Sequence, residues 1–124
     1  MKIAALVARI LLGLMFSVFG LNGFLHFLKG PLPPGLAGQF VGAMVTSNFA
    51  YLVFGVQLIA GVLLLVNQAL PFALVLLAAE LANILVFHIT MLPTGIEPGL
   101  VAIVLWAVVA SEHKRVLLGL FGKG

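Results

Sequence analysis

The sequence predicts an all-α integral membrane protein built as a four-helix bundle, and three observations support this fold class. Of its 124 residues, 64% are apolar and only 7% are charged, whereas soluble domains carry about 25% charged residues. Four apolar stretches alternate with short polar or proline-containing connections, and a helical span needs about 20 apolar residues. We therefore expect a single transmembrane domain over residues 1–124, with no room for a soluble domain.

The first span is predicted over residues 3–27. Lys2 followed by an apolar stretch is typical of a signal peptide, but this stretch is too long and lacks a clear cleavage site, which favours an uncleaved helix. We expect Arg9 to extend its guanidinium group to the membrane interface. Near the end of the span, Asn22 and His26 are four residues apart and share one helix face.

A short helix is predicted between the first two spans. Three prolines in residues 31–34 must break the first helix, because proline fixes the backbone and removes a hydrogen-bond donor. The stretch from Leu36 to Ser47 is too short to span a bilayer, and Leu36, Phe40 and Met44 recur every four residues. This spacing indicates an interfacial or re-entrant helix that lies against the bundle.

The remaining spans are predicted over residues 48–66, 72–92 and 99–118. The connection between the first two of these is short, so we expect those spans to be antiparallel neighbours. The last helix is expected to continue through residues 111–115 into a basic tail.

The basic residues are distributed unevenly over the two predicted sides of the bundle, and Lys29 alone lies on one of them. The other side carries Lys2, Arg9, Lys114, Arg115 and Lys123. Since cytoplasmic loops carry an excess of Lys and Arg, both termini of this multi-pass protein are predicted to be cytoplasmic.

Glu80 is the most informative residue, because no other charged residue occurs in the apolar stretch 71–92. An ionisable group at membrane depth costs at least about 2.5 kcal/mol unless it is paired or neutralised. At about 1.5 Å per residue, Gln57, Glu80 and Asn83 all fall near the bilayer midplane. Hydrogen bonds from amides would not neutralise a carboxylate, so we expect Glu80 to be a neutral carboxylic acid.

Other polar and aromatic residues are candidate neighbours of Glu80. Asn83 and Phe87 share its helix face, and His88 lies on the flank of that face. Asn22 from the first span is a further candidate partner. His26 and His88 are predicted near the outer boundary of the membrane. Each amide is alternatively a hydrogen-bond staple between helices.

Several kinds of site are disfavoured. Glu80 and His88 are eight residues, or about 12 Å, apart along a helix, which is too far for shared ligation of a metal. We therefore predict no metal site, with His26 and His88 as a weak surface alternative. Cysteine is absent, which excludes thiol redox chemistry. No basic stripe with interleaved aromatic residues suggests nucleic-acid binding.

Four segments resemble the DoxX-like family of membrane proteins, and together they extend over nearly the whole chain. They are residues 8–24 (ARILLGLMFSVFGLNGF), 38–44 (GQFVGAM), 54–65 (FGVQLIAGVLLL) and 83–88 (NILVFH). The resemblance implies a four-helix bundle of bacterial inner membranes. The family takes its name from a component of a thiosulfate:quinone oxidoreductase, and its members are often described as quinol-oxidase-like or as partners of redox enzymes.

The first functional hypothesis is a small quinone- or lipid-interacting subunit or partner of a membrane redox system. Glu80 is then the candidate catalytic residue that exchanges a proton. The candidate ligand-binding residues are Asn22, His26, Gln57, Asn83, Phe87 and His88. No covalently bound cofactor is expected, and quinone is the candidate ligand.

Two alternatives stay open: a small-solute or ion transporter or channel that acts as a homo-oligomer, and a structural scaffold of a membrane complex. The sequence does not decide whether the chain is an enzyme.

Overall fold

The computed structural model describes residues 2–26 and 31–122, so the predicted positions of Lys29 and Lys123 lie outside the described residues. The described chain is all-helical, which confirms the predicted α class. Its helices are α1 (Lys2–Leu25), α2 (Gly35–Thr46), α3 (Ala50–Leu65), α4 (Leu70–Thr90), α5 (Glu97–Ser111) and α6 (Lys114–Gly119). The short helix predicted between the first two spans is α2.

Two helices of the described chain, α1 and α4, are each long and apolar enough to cross a membrane. The helices α2 and α3 meet the same criteria only as a pair, which is bent by 84° at the break between them. The apolar helix α5 is shorter, with 15 residues. The described residues therefore contain two candidate spans, or three if the bent pair forms one span.

The helices α1 and α3 pack antiparallel and approach closely at glycines. A Cβ atom at Gly20 would lie 2.6 Å from the backbone nitrogen of Leu58, and one at Gly61 would lie 2.5 Å from that of Ser17. No side chain fits in such a space, so the two backbones are in contact at these points. Small residues allow this packing between apolar helices, where dispersion contacts replace the hydrophobic driving force.

Arg9 reaches from α1 to the end of α3. Its guanidinium Nη1 donates hydrogen bonds to the carbonyl oxygen of Leu64 and, at 3.5 Å, to that of Leu65. These carbonyls belong to the last turn of α3, where the helix dipole is negative. The carbonyl oxygen of Leu64 also accepts a hydrogen bond from the backbone nitrogen of Asn67, at 3.4 Å. Arg9 therefore caps α3, because the antiparallel packing brings the start of α1 to the end of α3.

The long helices contact one another in a closed cycle of α1, α3, α4 and α5. Trp106 of α5 donates from Nε1 to the carbonyl oxygen of Leu74 in α4, at 2.8 Å, and Gly99 lies against Ile84. Residue numbers thus rise in α5 as they fall in α4, so these helices are antiparallel too. The largest fully buried side chains between the helices are Leu12, Leu64, Leu74 and Leu77.

The last helix does not continue into the tail as predicted. Hydrogen bonds from the backbone nitrogens of Glu112 and His113 reach only three residues back, to Val109 and Ala110. The Ser111 hydroxyl also donates to the carbonyl oxygen of Val108, at 2.6 Å. Such local bonds compete with the α-helical pattern. The helix α5 therefore ends at Ser111, and α6 begins separately at Lys114.

We expect Gly20→Ala to lower the free energy of unfolding by about 1–3 kcal/mol, since the added methyl group forces the α1 and α3 backbones apart. The matched control is Gly55→Ala in α3, where the nearest atom to the new Cβ is Phe24 Cζ at 3.8 Å. Thermal and denaturant unfolding in detergent would compare both variants with the parent. Equal stability of the two variants would contradict the close approach.

Candidate functional site

A buried hydrogen bond joins α3 and α4 in the interior. Gln57 and Glu80 are 6% and 7% exposed, and Gln57 Nε2 donates to Glu80 Oε1 at 3.0 Å. This contact confirms the prediction that the two residues approach one another. The carboxyl group accepts this bond from an amide, which carries no compensating charge. The other carboxyl oxygen and the second amide hydrogen remain available for additional hydrogen bonds.

Next to this pair, α2, α3 and α4 line a partly open cavity of about 300 Å³, which we call the α2 pocket. Its polar lining residues are Gln57, Glu80, Asn83 and His88. Its aromatic lining residues are Phe40, Phe49, Phe54 and Phe87, and the remaining ones are Val41, Met44, Val53 and Ile84. The pocket thus combines apolar walls with a small number of polar groups, which is typical of small-molecule sites.

Aromatic contacts connect α2 to α4 beside the polar groups. The rings of Phe40 and Phe87 have centroids 5.5 Å apart and are tilted by 33°. Phe87 also meets the imidazole of His88 edge to face, with centroids 5.2 Å apart. Tilted and edge-to-face pairs are favourable arrangements of aromatic rings, so these contacts hold α2 over the site.

His88 is held by a backbone carbonyl at the end of α4. Its Nδ1 lies 2.9 Å from the carbonyl oxygen of Leu92. A carbonyl oxygen only accepts hydrogen bonds, so Nδ1 carries the hydrogen and donates it. In the neutral ring, Nε2 is then the acceptor.

A second cavity, of about 330 Å³, is lined by residues of α1, α3, α4, α5 and the connection before α5; we call it the central pocket. It shares Phe54, Gln57, Ile84 and His88 with the α2 pocket. Its other lining residues are Met15, Phe16, Phe19, Leu81, Gly95, Pro98, Gly99 and Ala102. The shared residues therefore form the boundary between the two pockets.

Two predicted site residues, Asn22 and His26, line neither pocket. His26 is exposed just after α1, with a φ of 55°, and its backbone N–H donates to the carbonyl oxygen of Asn22 at 2.7 Å. A residue in this left-handed conformation is a common helix end. Asn22 is half-buried in α1. The structure brings together the other five predicted residues: Gln57, Glu80, Asn83, Phe87 and His88.

Phe49, Val53 and Phe54 also line the α2 pocket and were not predicted to do so from the sequence. A usable signal was present, because Phe49, Val53 and Gln57 are spaced by four residues and thus share a helix face. Phe40 and Met44 were predicted to share a face of α2, and that face lines the α2 pocket.

Within the described residues, no group of three or more His, Asp or Glu side chains could hold a metal ion. Comparison with models of protein families, with curated proteins and with solved structures found no match.

We expect Gln57→Leu and Glu80→Leu each to destabilise the protein, and the double variant to cost less than the sum of the two. Each single change leaves a buried polar group without its partner, and coupling energies between apolar helices average about 0.6 kcal/mol. Denaturant unfolding of the four proteins in detergent measures this coupling. The control Gln68→Leu, at an exposed position, should leave stability unchanged. Additive effects would contradict a stabilising Gln57–Glu80 bond.

Proposed function

We propose that this chain is a DoxX-like inner-membrane protein that binds a quinone- or lipid-type ligand in the α2 pocket. It would act as a subunit or partner of a membrane redox system. The observation that carries the proposal is the position of the buried Gln57–Glu80 bond at the wall of a cavity with four phenylalanines. This arrangement suits an aromatic headgroup that carries oxygen atoms.

The proposal includes four membrane spans, namely α1, the bent pair α2 and α3, α4, and the shorter α5. Large apolar side chains are exposed on each long helix, for example Leu6 on α1, Leu52 on α3, Val86 on α4 and Val104 on α5. A soluble monomer does not expose so much apolar surface, whereas the lipid of a bilayer would cover it.

The orientation of the spans is proposed from charge. The alternating helix directions bring the start of α1 and the end of α5 to the same end of the helix cycle. This end carries Lys2, Lys114 and Arg115, so the positive-inside rule supports a cytoplasmic location for both termini. The α2 pocket then lies in the outer half.

The size of the α2 pocket favours a headgroup over a whole lipid. Its volume of about 300 Å³ is at the lower end of the range for small-molecule sites. An isoprenoid or acyl tail would therefore remain in the bilayer while the headgroup enters between α2 and α4.

Glu80 has the proton-exchange role in this proposal. As a neutral acid it donates a hydrogen bond from its hydroxyl to a ligand oxygen. It exchanges with that oxygen one of the two protons that accompany the two-electron change of the ligand, and the second ligand oxygen would exchange the other proton with water. Asn83, three residues further along α4, offers an amide to the same headgroup. The electrons would be exchanged with a partner redox protein.

A second candidate function is transport by a homo-oligomer. The favouring observation is that the α2 pocket and the central pocket meet at Gln57 and His88, so a small solute could pass from one to the other. Voltage- or pH-dependent flux in liposomes that is lost in Glu80→Ala would support this candidate.

The binding site is tested by filling it. We expect Met44→Trp to weaken binding of a short-chain benzoquinone at least about tenfold, because the larger ring occupies the α2 pocket. The control is Val45→Trp, which adds the same ring at the next, exposed position. Equilibrium binding to the protein in lipid nanodiscs measures both. Equal affinity of the two variants would exclude the α2 pocket as the binding site.

The role of Glu80 is tested by infrared difference spectroscopy of the protein with and without the same benzoquinone. We expect a change in the carbonyl-stretch band of a carboxylic acid, because the ligand oxygen accepts a hydrogen bond from Glu80. The band should be absent in Glu80→Gln and present in Glu97→Gln, which alters an exposed residue outside both pockets. A band that persists in Glu80→Gln would assign the acid elsewhere.

A further inference from the structure

A further cavity lies at the basic end of the helices, outside the two pockets described above. It is an open groove of about 340 Å³ formed by α5, α6 and the residues just after α6, and we call it the α6 groove. Trp106 and Phe121 both line it although they are 15 residues apart, a separation of about 22 Å in one straight helix. The chain therefore bends between α5 and α6. The other lining residues are Ala107, Ala110, Ser111, Lys114, Leu117 and Leu118.

Among the described residues that line the α6 groove, Lys114 is the one side chain with uncommitted donor hydrogens. The indole N–H of Trp106 is donated to the carbonyl oxygen of Leu74, at 2.8 Å. The hydroxyl hydrogen of Ser111 is donated to the carbonyl oxygen of Val108, at 2.6 Å. The remaining lining residues are Ala, Leu and Phe. The groove therefore combines apolar walls with one cation.

Lys114 and its neighbour Arg115 give the rim of the α6 groove a positive charge. Both are exposed, and within the described residues neither side chain has a hydrogen-bond or ion-pair partner. The sequence contains three acidic residues, of which Glu80 lies in the interior and Glu97 at the opposite end of α5. Glu112 is thus the one acidic residue near the rim. An anionic group in the groove would meet a net positive charge.

Large apolar side chains of α6 and of the residues after it are exposed. Val116, Leu118 and Leu120 are each more than half exposed, and Phe121 is 88% exposed. Leu117 packs against the buried core and holds α6 to the bundle. Basic residues next to exposed Leu and Phe are typical of a helix that lies in the membrane interface. Acyl chains would cover these side chains there.

From the charge and the apolar walls we propose that the α6 groove binds an anionic phospholipid. An acyl chain packs against Trp106 and Phe121, and Lys114 donates charge-assisted hydrogen bonds to the phosphate. Arg115 adds attraction from the neighbouring position. This inference uses the proposed membrane orientation, in which the lipid belongs to the cytoplasmic leaflet, but it does not depend on a ligand in the α2 pocket.

Two other assignments fit these observations less well. The α2 pocket has no Lys or Arg among its lining residues, so a phosphate there would lack the side chains that usually bind it. A second copy of the chain in the α6 groove would bring the same basic residues of both copies together in a two-fold contact. Like charges that face each other disfavour such a contact. The anionic lipid has the complementary charge.

The test uses Trp106 as the reporter, because it is the single tryptophan of the chain and lines the α6 groove. Bromine atoms on a lipid chain quench tryptophan fluorescence on contact. The full-length protein is reconstituted in phosphatidylcholine vesicles with increasing fractions of brominated phosphatidylglycerol or brominated phosphatidylcholine. We expect phosphatidylglycerol to bind at least about fivefold more tightly, which is the effect of one basic residue close to an anionic lipid.

The charge variants assign this preference to the groove. Lys114→Gln should lower the affinity ratio of the two lipids about fivefold, because the phosphate loses its cationic partner. The matched control Lys2→Gln removes an exposed charge at the same end of the helices but outside the groove, and it should keep the parent ratio. An equal fall in both variants would show a diffuse attraction to the leaflet and would overturn the site.

A filled groove tests the position of the acyl chain. Ala107→Phe places a ring in the α6 groove next to Trp106 and should reduce the quenching by both brominated lipids. The control Val104→Phe adds the same ring at an exposed position of α5 outside the groove and should keep the parent quenching. Equal quenching in the two variants would contradict an acyl chain in the groove.

The results also separate this site from the proposed function. Equal binding of the two lipids by the parent protein, or no quenching by either, overturns the α6 groove as a lipid site. Neither result bears on the α2 pocket, whose lining residues do not include Trp106. Conversely, failure of the benzoquinone to bind while the preference for phosphatidylglycerol persists overturns the proposed ligand and leaves the lipid site standing.

Discussion

The contact between α1 and α3 leaves no space for a side chain at Gly20 or Gly61, and this constraint fixes the rotation of α3. With Leu58 and Gly61 against α1, Gln57 stands on the neighbouring flank, which faces α4. Its amide consequently reaches Glu80. A wider separation of α1 and α3 would allow α3 to rotate. The rotation would move the amide of Gln57 away from Glu80, and no other side chain in the described residues is seen to donate to that carboxyl group. The polar site thus depends on a backbone contact outside it.

The Gln57–Glu80 bond is both a link between helices and part of the wall of the α2 pocket. Each residue alone would be a buried polar group without a partner, so selection for stability would be enough to keep the pair. The cavity beside the pair favours an additional role in ligand binding, because two residues that only join helices need no open space next to them. The α2 pocket supplies that space, and its phenylalanines and Asn83 line it.

The sequence predicted the helical class, the short α2 helix and five of the residues around the pocket, because charge and proline are unambiguous signals in an apolar chain. It could not show which face of each long helix lies inside the bundle, because apolar residues occur on all sides of these helices. For that reason Asn22 was expected as a partner of Glu80 and His26 as a ligand-binding residue, although they line neither pocket. Arg9 caps α3 only because α3 packs antiparallel to α1. The pattern of residues in α1 does not show which helix will be its neighbour.

The packing also bears on whether one chain could conduct a solute. Any route between the two pockets passes Gln57 and His88, which both pockets share. Beyond Glu80, towards the basic end of the helices, Leu77 and Leu74 follow at about one and two turns and are fully buried. Leu12 and Leu64 close the same level from α1 and α3. A path through a single chain would have to displace this close-packed layer, at a cost of several kcal/mol. The buried leucines therefore separate the two pockets from the basic end of the helices, and this favours the proposed ligand site over transport through a single chain.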